Sequence, residues 1–240
     1  MLSNRNNNIS RKTKFLISLK NIEEISNEVI EEVDILDLKN PLKGAIGAWE
    51  LNNIKRVISI HKKKIIISAT LGDVFGDKEF LIKLKKFDCL GLDFIKFGLL
   101  SIDQKNLFEK LRMIESRVFK TNLVCVVFVD KKNHLNLVNN NLNYFLKCGV
   151  KNILLDTFGK KKGDLLNFCK ADYLRKFISK CKKKNIKIGL AAGLKEIQIP
   201  LIVKLNPDIV GFRSAICRSN KRTSSIDIKK IKKLSGYFNS

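Results

Sequence analysis

The sequence predicts a single-domain α/β fold, a (β/α)8 or TIM barrel of eight parallel strands ringed by helices. Three observations carry that expectation. Apolar runs of strand length alternate with segments of helical period from end to end, eight such pairs can be counted, and 240 residues at 45% hydrophobic content suffice for one sizeable core. An open doubly wound sheet is the fallback. It fits less well because no glycine-rich dinucleotide fingerprint follows the first strand.

Residues 1–13 are polar, basic and free of acidic side chains, and read as a flexible tail; the barrel is assigned to residues 14–240. The first strand candidate, 14–19, is followed by a helix near 22–29. The second, 34–39, ends in Asp37-Leu38-Lys39-Asn40-Pro41. Spacing of two on a strand turns Asp37 and Lys39 to one face, so an acid and an amine project into one space. Pro41 ends the strand, and Gly44 and Gly47 would let backbone approach a ligand before a helix over 50–61. The third strand, 65–71, leads through Ser68-Ala69-Thr70-Leu71-Gly72-Asp73 to a helix over 78–86. The fourth, 94–99, carries Lys96 before Gly98 and precedes a helix over 103–116. The fifth, 123–129, is followed by a helix over 142–148. The sixth, 152–157, ends in Asp156-Thr157, with Lys160 in the loop and a helix over 173–184 beyond. The seventh, 187–192, runs into Ala192-Gly193 and a helix over 194–205; the eighth, 208–213, into Gly211-Phe212-Arg213-Ser214-Ala215 and a helix over 226–234.

A formal charge of +24 would ordinarily raise nucleic acid or an anionic membrane as partner. Here the lysines are spread along the chain among asparagines and isoleucines, and no RNP-like motif or zinc finger is present, so no specific nucleic acid is expected. The positive field would still attract phosphorylated metabolites. Cys89, Cys125, Cys148, Cys169, Cys181 and Cys217 show no paired short spacing and read as small core residues of a reducing, cytoplasmic compartment. With His61 and His134 the only histidines, neither a Ser/His/Asp triad nor a histidine metal site is expected, and no metal is assigned. No apolar run is long enough to span a bilayer and the amino terminus lacks the apolar core of a secretory signal, so no membrane partner is expected. A homo-oligomer is compatible with the sequence, which does not fix the oligomeric state.

Barrel chemistry collects at the carboxyl ends of the strands. A lysine there can form an imine with a carbonyl substrate once its amine is neutral, and since free lysine titrates near ~10.4, the site must favour deprotonation by desolvation or neighbouring positive charge. Lys39, Lys96 and Lys160 would repel one another if they converge, and Asp37 and Asp156 would steer protons or hold a protonated partner. Lys39 and Lys96 each interrupt a buried strand, where lysine is seldom found without a partner or purpose. Lys160 opens the run Lys160-Lys161-Lys162 and rests on register alone. Strands seven and eight suggest a phosphate grip: Gly193, Gly211, Ser214 and Ala215 would give backbone N–H groups access, and Arg213 would add a charged fork.

Together these segments resemble the (5-formylfuran-3-yl)methyl phosphate synthase family, also called 4-(hydroxymethyl)-2-furancarboxaldehyde-phosphate synthase. The landmarks are Ser18-Leu19-Lys20-Asn21 with Glu23-Glu24, the stretch from Asp37 to Ala48, Ser68 to Asp73, Lys96 to Leu99, Leu154 to Lys160, and Pro207 to Cys217 with Arg222-Thr223 beyond. The resemblance implies a class I aldolase-like barrel, a carbon–oxygen lyase condensing two molecules of glyceraldehyde 3-phosphate into a phosphorylated furan aldehyde for methanofuran-type cofactors. By position Lys39 would match the imine-forming lysine and Lys96 the proton acceptor, with Asp37, Asp156 and Lys160 as further active-site groups. Without the resemblance, the choice between Lys39 and Lys96 as covalent amine stays open. The resemblance implies no metal or organic cofactor, because an imine can serve as the electron sink. Departures lie in the phosphate loops: Ala192-Gly193 stands where the family tends to have Gly-Ser, and Ser214 where it tends to have glycine. Two other readings use the same chain, a different imine-forming aldolase and a basic nucleic-acid-binding protein on a barrel scaffold.

Overall fold

A computed structural model describes residues 12–73, 76–100, 104–115, 117–159 and 163–239. Eight parallel strands close into a barrel in chain order: β1 (Lys14–Leu19), β2 (Ile35–Leu38), β3 (Ile66–Thr70), β4 (Phe94–Gly98), β5 (Asn122–Phe128), β6 (Asn152–Asp156), β7 (Lys187–Leu190) and β8 (Ile209–Phe212). Each pairs with the next, and β8 returns to β1. The strands read as near-continuous apolar runs because both faces are covered. Ile17, Leu36, Ile67, Ile95, Val127 and Ile153 point outward into the main core beneath the helices. Val124, Val126, Phe128 and Leu154 point inward and form a second cluster with Ala45 and Ile46. The interior is thus apolar along β5 and at Leu154 of β6, while β1 to β4 supply it with Ser18, Asp37, Ser68 and Lys96 and the end of β6 with Asp156, all buried.

Helices α1 (Asn27–Glu32), α2 (Leu51–His61), α3 (Asp77–Asp88) and α4 (Gln104–Glu115) follow the first four strands. The expected helix over 22–29 is instead a 3₁₀ turn, Ile22–Glu24, then α1, whose start is fixed by the Ser26 hydroxyl accepting from the Val29 N–H at 3.3 Å. The bounding residues expected for the fourth helix, Asp103 and Ser116, lie outside the described residues. After β5 come α5 (His134–Asn140) and α6 (Leu142–Lys147), after β6 α7 (Leu165–Phe168) and α8 (Ala171–Lys183), and then α9 (Ile199–Lys204) and α10 (Ile228–Ser235). Two of these, α5 and α7, were not expected. Asparagine-rich α5 has weak intrinsic propensity and is held by burial of Leu135 and Val138. The four residues of α7 are held by a capping box between Asp164 and Asn167. No helix among the described residues is long and apolar enough to cross a membrane.

Thr13, placed by sequence in the tail, is buried and its Oγ1 donates to the Pro207 carbonyl at 2.8 Å, so it is bonded into the barrel; residues 1–11 lie outside the described residues.

The loop after β2 folds back over the barrel mouth. Asp73 accepts from the Ala45 and Ile46 N–H groups at 2.9 and 3.1 Å, and the Thr70 hydroxyl donates to the Gly47 carbonyl at 2.9 Å. Gly44 has φ +110°, and a Cβ there would lie 2.0 Å from Asp73 Oδ2. The close approach that this glycine permits is therefore to the chain's own carboxylate, not to a ligand. Pinned in this way, Ile46 drops into the barrel against Gly98, where an added Cβ would meet Ile46 Cδ1 at 2.8 Å.

Candidate active site

A cavity of about 500 Å³ opens at the carboxyl ends of the strands. Its floor follows from strand register. Ser18, Asp37 and Ser68 are direct neighbours across β1, β2 and β3, and both hydroxyls donate to Asp37, at 2.8 Å from Ser18 and 2.7 Å from Ser68. Lys96 of β4 brings its Nζ to 2.9 Å from Asp37 Oδ1, although not aligned as a good hydrogen bond. Burial pushes the Asp37 carboxyl up; Lys96, then Lys39 and the Ser68 hydroxyl, outweigh it, and the group ends below its ordinary 3.8. Burial pushes the Lys96 amine below its ordinary 10.5, assisted by Lys39 and opposed by Asp37 and Asp156.

Lys39, one residue past the end of β2, reaches across the mouth to Asp156 at the end of β6, Nζ to Oδ2, at 2.9 Å. The other Asp156 oxygen accepts from the Thr157 N–H at 2.8 Å. Lys39 keeps 12% of its side chain exposed against 5% for Lys96, so Lys39 is the more open amine and Lys96 the deeper one. The four residues Asp37, Lys39, Lys96 and Asp156, singled out by sequence, thus converge on one cavity. Lys160 lies outside the described residues. Among the described residues no three His, Cys, Asp or Glu side chains converge as a metal site requires.

Of the expected phosphate residues, Gly193, Gly211, Arg213 and Ser214 line the cavity; Ala215 does not, and packs partly buried on the main core. The N–H groups of Gly193, Leu194, Ser214 and Ala215 donate to no protein acceptor among the described residues. Ala192 takes φ +73°, the left-handed region that a glycine would occupy without strain.

The fork expected of Arg213 is already filled. Its Nε donates to the Arg222 carbonyl at 2.7 Å, Nη1 to the Ser18 carbonyl at 3.1 Å and Glu24 Oε2 at 2.6 Å, and Nη2 to Glu24 Oε1 at 3.0 Å and the Ser224 carbonyl at 2.7 Å. A guanidinium has five N–H groups, and these bonds take all of them. Arg213 is a strut that ties the loop after β8 to β1. Arg222, which the sequence offered only as a landmark, is the other cationic fork on the cavity wall.

Over residues 15–235 the chain matches the family described as 4-HFC-P synthase. The chain belongs to the 4-HFC-P synthase family. Among similar proteins, the (5-formylfuran-3-yl)methyl phosphate synthase of Methanocaldococcus jannaschii is 27% identical over 91% of this chain and 97% of its own length. That of Methanosarcina mazei is 29% identical over 88% and 93%. Among solved structures, a 3-hexulose-6-phosphate synthase superposes with TM-score 0.59 at 18% identity, covering 92% of this chain and 99% of that one. The 3-keto-L-gulonate-6-phosphate decarboxylase of Vibrio cholerae superposes with TM-score 0.60 at 9% identity, covering 94% and 98%. At these identities the structural likeness shows the barrel fold alone.

Proposed function

We propose that this 4-HFC-P synthase family member is an aldolase-like lyase that condenses two molecules of glyceraldehyde 3-phosphate into (5-formylfuran-3-yl)methyl phosphate, with loss of one phosphate and water, in methanofuran-type cofactor biosynthesis. The observation that carries the reading is the convergence of Lys39 and Lys96 in one cavity, each against a buried carboxylate, with the deeper amine held below its ordinary pKa.

In this reading Lys39, the more open amine, attacks the triose carbonyl as the neutral base, and water leaves to form the iminium. Lys96 removes the α-proton, and the electron pair moves into the iminium to give an enamine. The enamine carbon attacks the carbonyl of the second triose. Hydrolysis of the iminium then breaks the C–N bond and frees Lys39, a hydroxyl of the joined trioses adds to the regenerated carbonyl to close the ring, and loss of phosphate and water gives the furan. Asp156 holds Lys39 in place, Asp37 receives the charge when Lys96 is protonated, and Lys160 is assigned a further active-site role by its family match. The unpaired N–H groups at the ends of β7 and β8 are suited to phosphate oxygens.

Incubation with glyceraldehyde 3-phosphate tests this directly, through phosphate release, furan ultraviolet absorbance and borohydride trapping mapped by mass spectrometry. The expected adduct lies on the peptide containing Lys39. An adduct without furan would reassign the chain to a different imine-forming aldolase. No adduct at any lysine of folded protein, together with salt-sensitive nucleic-acid affinity, would replace the enzyme by a binding module.

A further inference from the structure

Arg213 and Arg222 both face the cavity, and they differ in what they have left to offer. Every N–H of Arg213 is committed to this chain. Among the described residues the Arg222 guanidinium makes one hydrogen bond, a long one of 3.2 Å from Nη2 to the Gly44 carbonyl in the loop after β2. The backbone beneath it is nevertheless fixed: Arg213 Nε holds the Arg222 carbonyl at 2.7 Å, and Lys20 Nζ holds the Thr223 carbonyl at 3.2 Å. A pinned backbone thus presents a partly buried guanidinium with four uncommitted N–H groups to the cavity. Burial lowers its pKa, the Asp156 and Asp73 carboxylates oppose that, and Arg213 reinforces it, so the groups around it are those of the mouth itself.

We propose that Arg222 grips a phosphate of the substrate from the β2 side of the mouth and selects phosphorylated over unphosphorylated aldehydes. A guanidinium fork matches two phosphate oxygens, and the weak bond to Gly44 is the one exchanged for the ligand. The proposal rests on the triose-phosphate reading above and adds a second anion subsite to the backbone N–H groups of β7 and β8. A condensation of two triose phosphates brings two phosphates into one cavity, and these two sets of donors give each a place.

Borohydride trapping of the full chain is measured against D-glyceraldehyde 3-phosphate and against D-glyceraldehyde, for wild type, Arg222→Gln and Arg222→Lys. Loss of charge-assisted hydrogen bonds corresponds to about 10- to 100-fold in affinity. Arg222→Gln is expected to raise the half-saturating concentration of the phosphate ester by about that factor, to move that of glyceraldehyde far less, and Arg222→Lys to fall between. Equal losses for both aldehydes, or no change for either, overturn the proposal. Wild-type protein that traps neither aldehyde removes the imine reading and leaves Arg222 to a second readout, the thermal midpoint in inorganic phosphate. A rise in wild type that Arg222→Gln abolishes supports the subsite; equal shifts in both proteins, or none, overturn it. Arg222→Lys decides either experiment if the glutamine variant does not fold.

Discussion

Lys96 Nζ lies 2.9 Å from Asp37 Oδ1 with only 5% and 2% of the two side chains exposed, so an amine and a carboxylate share the floor of a cavity that water barely reaches. Desolvating such a pair costs several kcal/mol per ion, and attraction offsets this only when the remaining lone pairs are also satisfied. Ser18 and Ser68 satisfy those of Asp37. With burial holding Lys96 below 10.5, its amine is free to accept a proton at lower pH than an exposed lysine. In its proposed role of proton acceptor it must be neutral, so kcat/KM is expected to fall as pH drops through its folded pKa and to recover above it. A pH profile of furan formation is expected to show an acidic limb with its midpoint below 10.5. Lys96→Met is expected to lower kcat by about 10²- to 10⁴-fold and to change the shape of that limb, which then reports only the attacking amine.

Asp37 reports on the same pair through stability. Its folded pKa is depressed below 3.8, so its contribution is fully present above that pH and is lost as pH falls through the folded value. Asp37→Asn leaves Lys96 buried without its carboxylate, and breaking a buried pair from one side costs roughly 3–5 kcal/mol. Chemical denaturation is expected to show a gap of that size between wild type and Asp37→Asn at neutral pH, narrowing as pH falls below 3.8 and closing as it passes the lower folded pKa, where wild type loses the charge as well. A gap that stays constant down to acid unfolding would exclude this role for Asp37.

Glu24 and Arg213 form another largely buried pair, 5% and 10% exposed and bridged by two bonds of 2.6 and 3.0 Å. Glu24→Gln is expected to cost about 3 kcal/mol, or a fall of about 6–12 °C in Tm for a chain of this size. Because Arg213 also holds the Arg222 carbonyl, the variant should raise KM for the phosphate ester more than it lowers kcat. Calorimetry and steady-state kinetics check the two halves separately.

The barrel was legible because its strands are covered on both faces and so stand out as apolar runs, with Lys39, Lys96, Asp37 and Asp156 as the polar interruptions. The helix α5 was hidden by its asparagines; α7 was hidden by its length, although Asp164 and Asn167 carried a capping signal. Arg213 was misread for a different reason. Its position after β8 is where a barrel grips phosphate, but which acceptors fill a guanidinium depends on Glu24 and the carbonyls of residues 18, 222 and 224, contacts that span up to 195 positions. Gly44 was likewise assigned to a ligand when its neighbour is Asp73, two loops meeting by tertiary contact alone.

That contact between loops carries the last prediction. Two N–H groups of the 40–48 loop depend on the Asp73 carboxylate, and Ile46, which roofs the apolar wall of β5 and β6, depends on that loop. Asp73→Ala removes both acceptor oxygens. Gly44→Ala reaches the same end from the other side, forcing a Cβ to 2.0 Å from Asp73 Oδ2 at a left-handed φ of +110°. Each is expected to cost about 1–3 kcal/mol locally, to speed tryptic cleavage after the exposed Lys43, and to lower kcat/KM for both phosphorylated and unphosphorylated aldehydes as the cavity loses its roof. Cleavage at Lys43 as slow as in wild type, in both variants, would mean that Asp73 is not what holds the loop over the site.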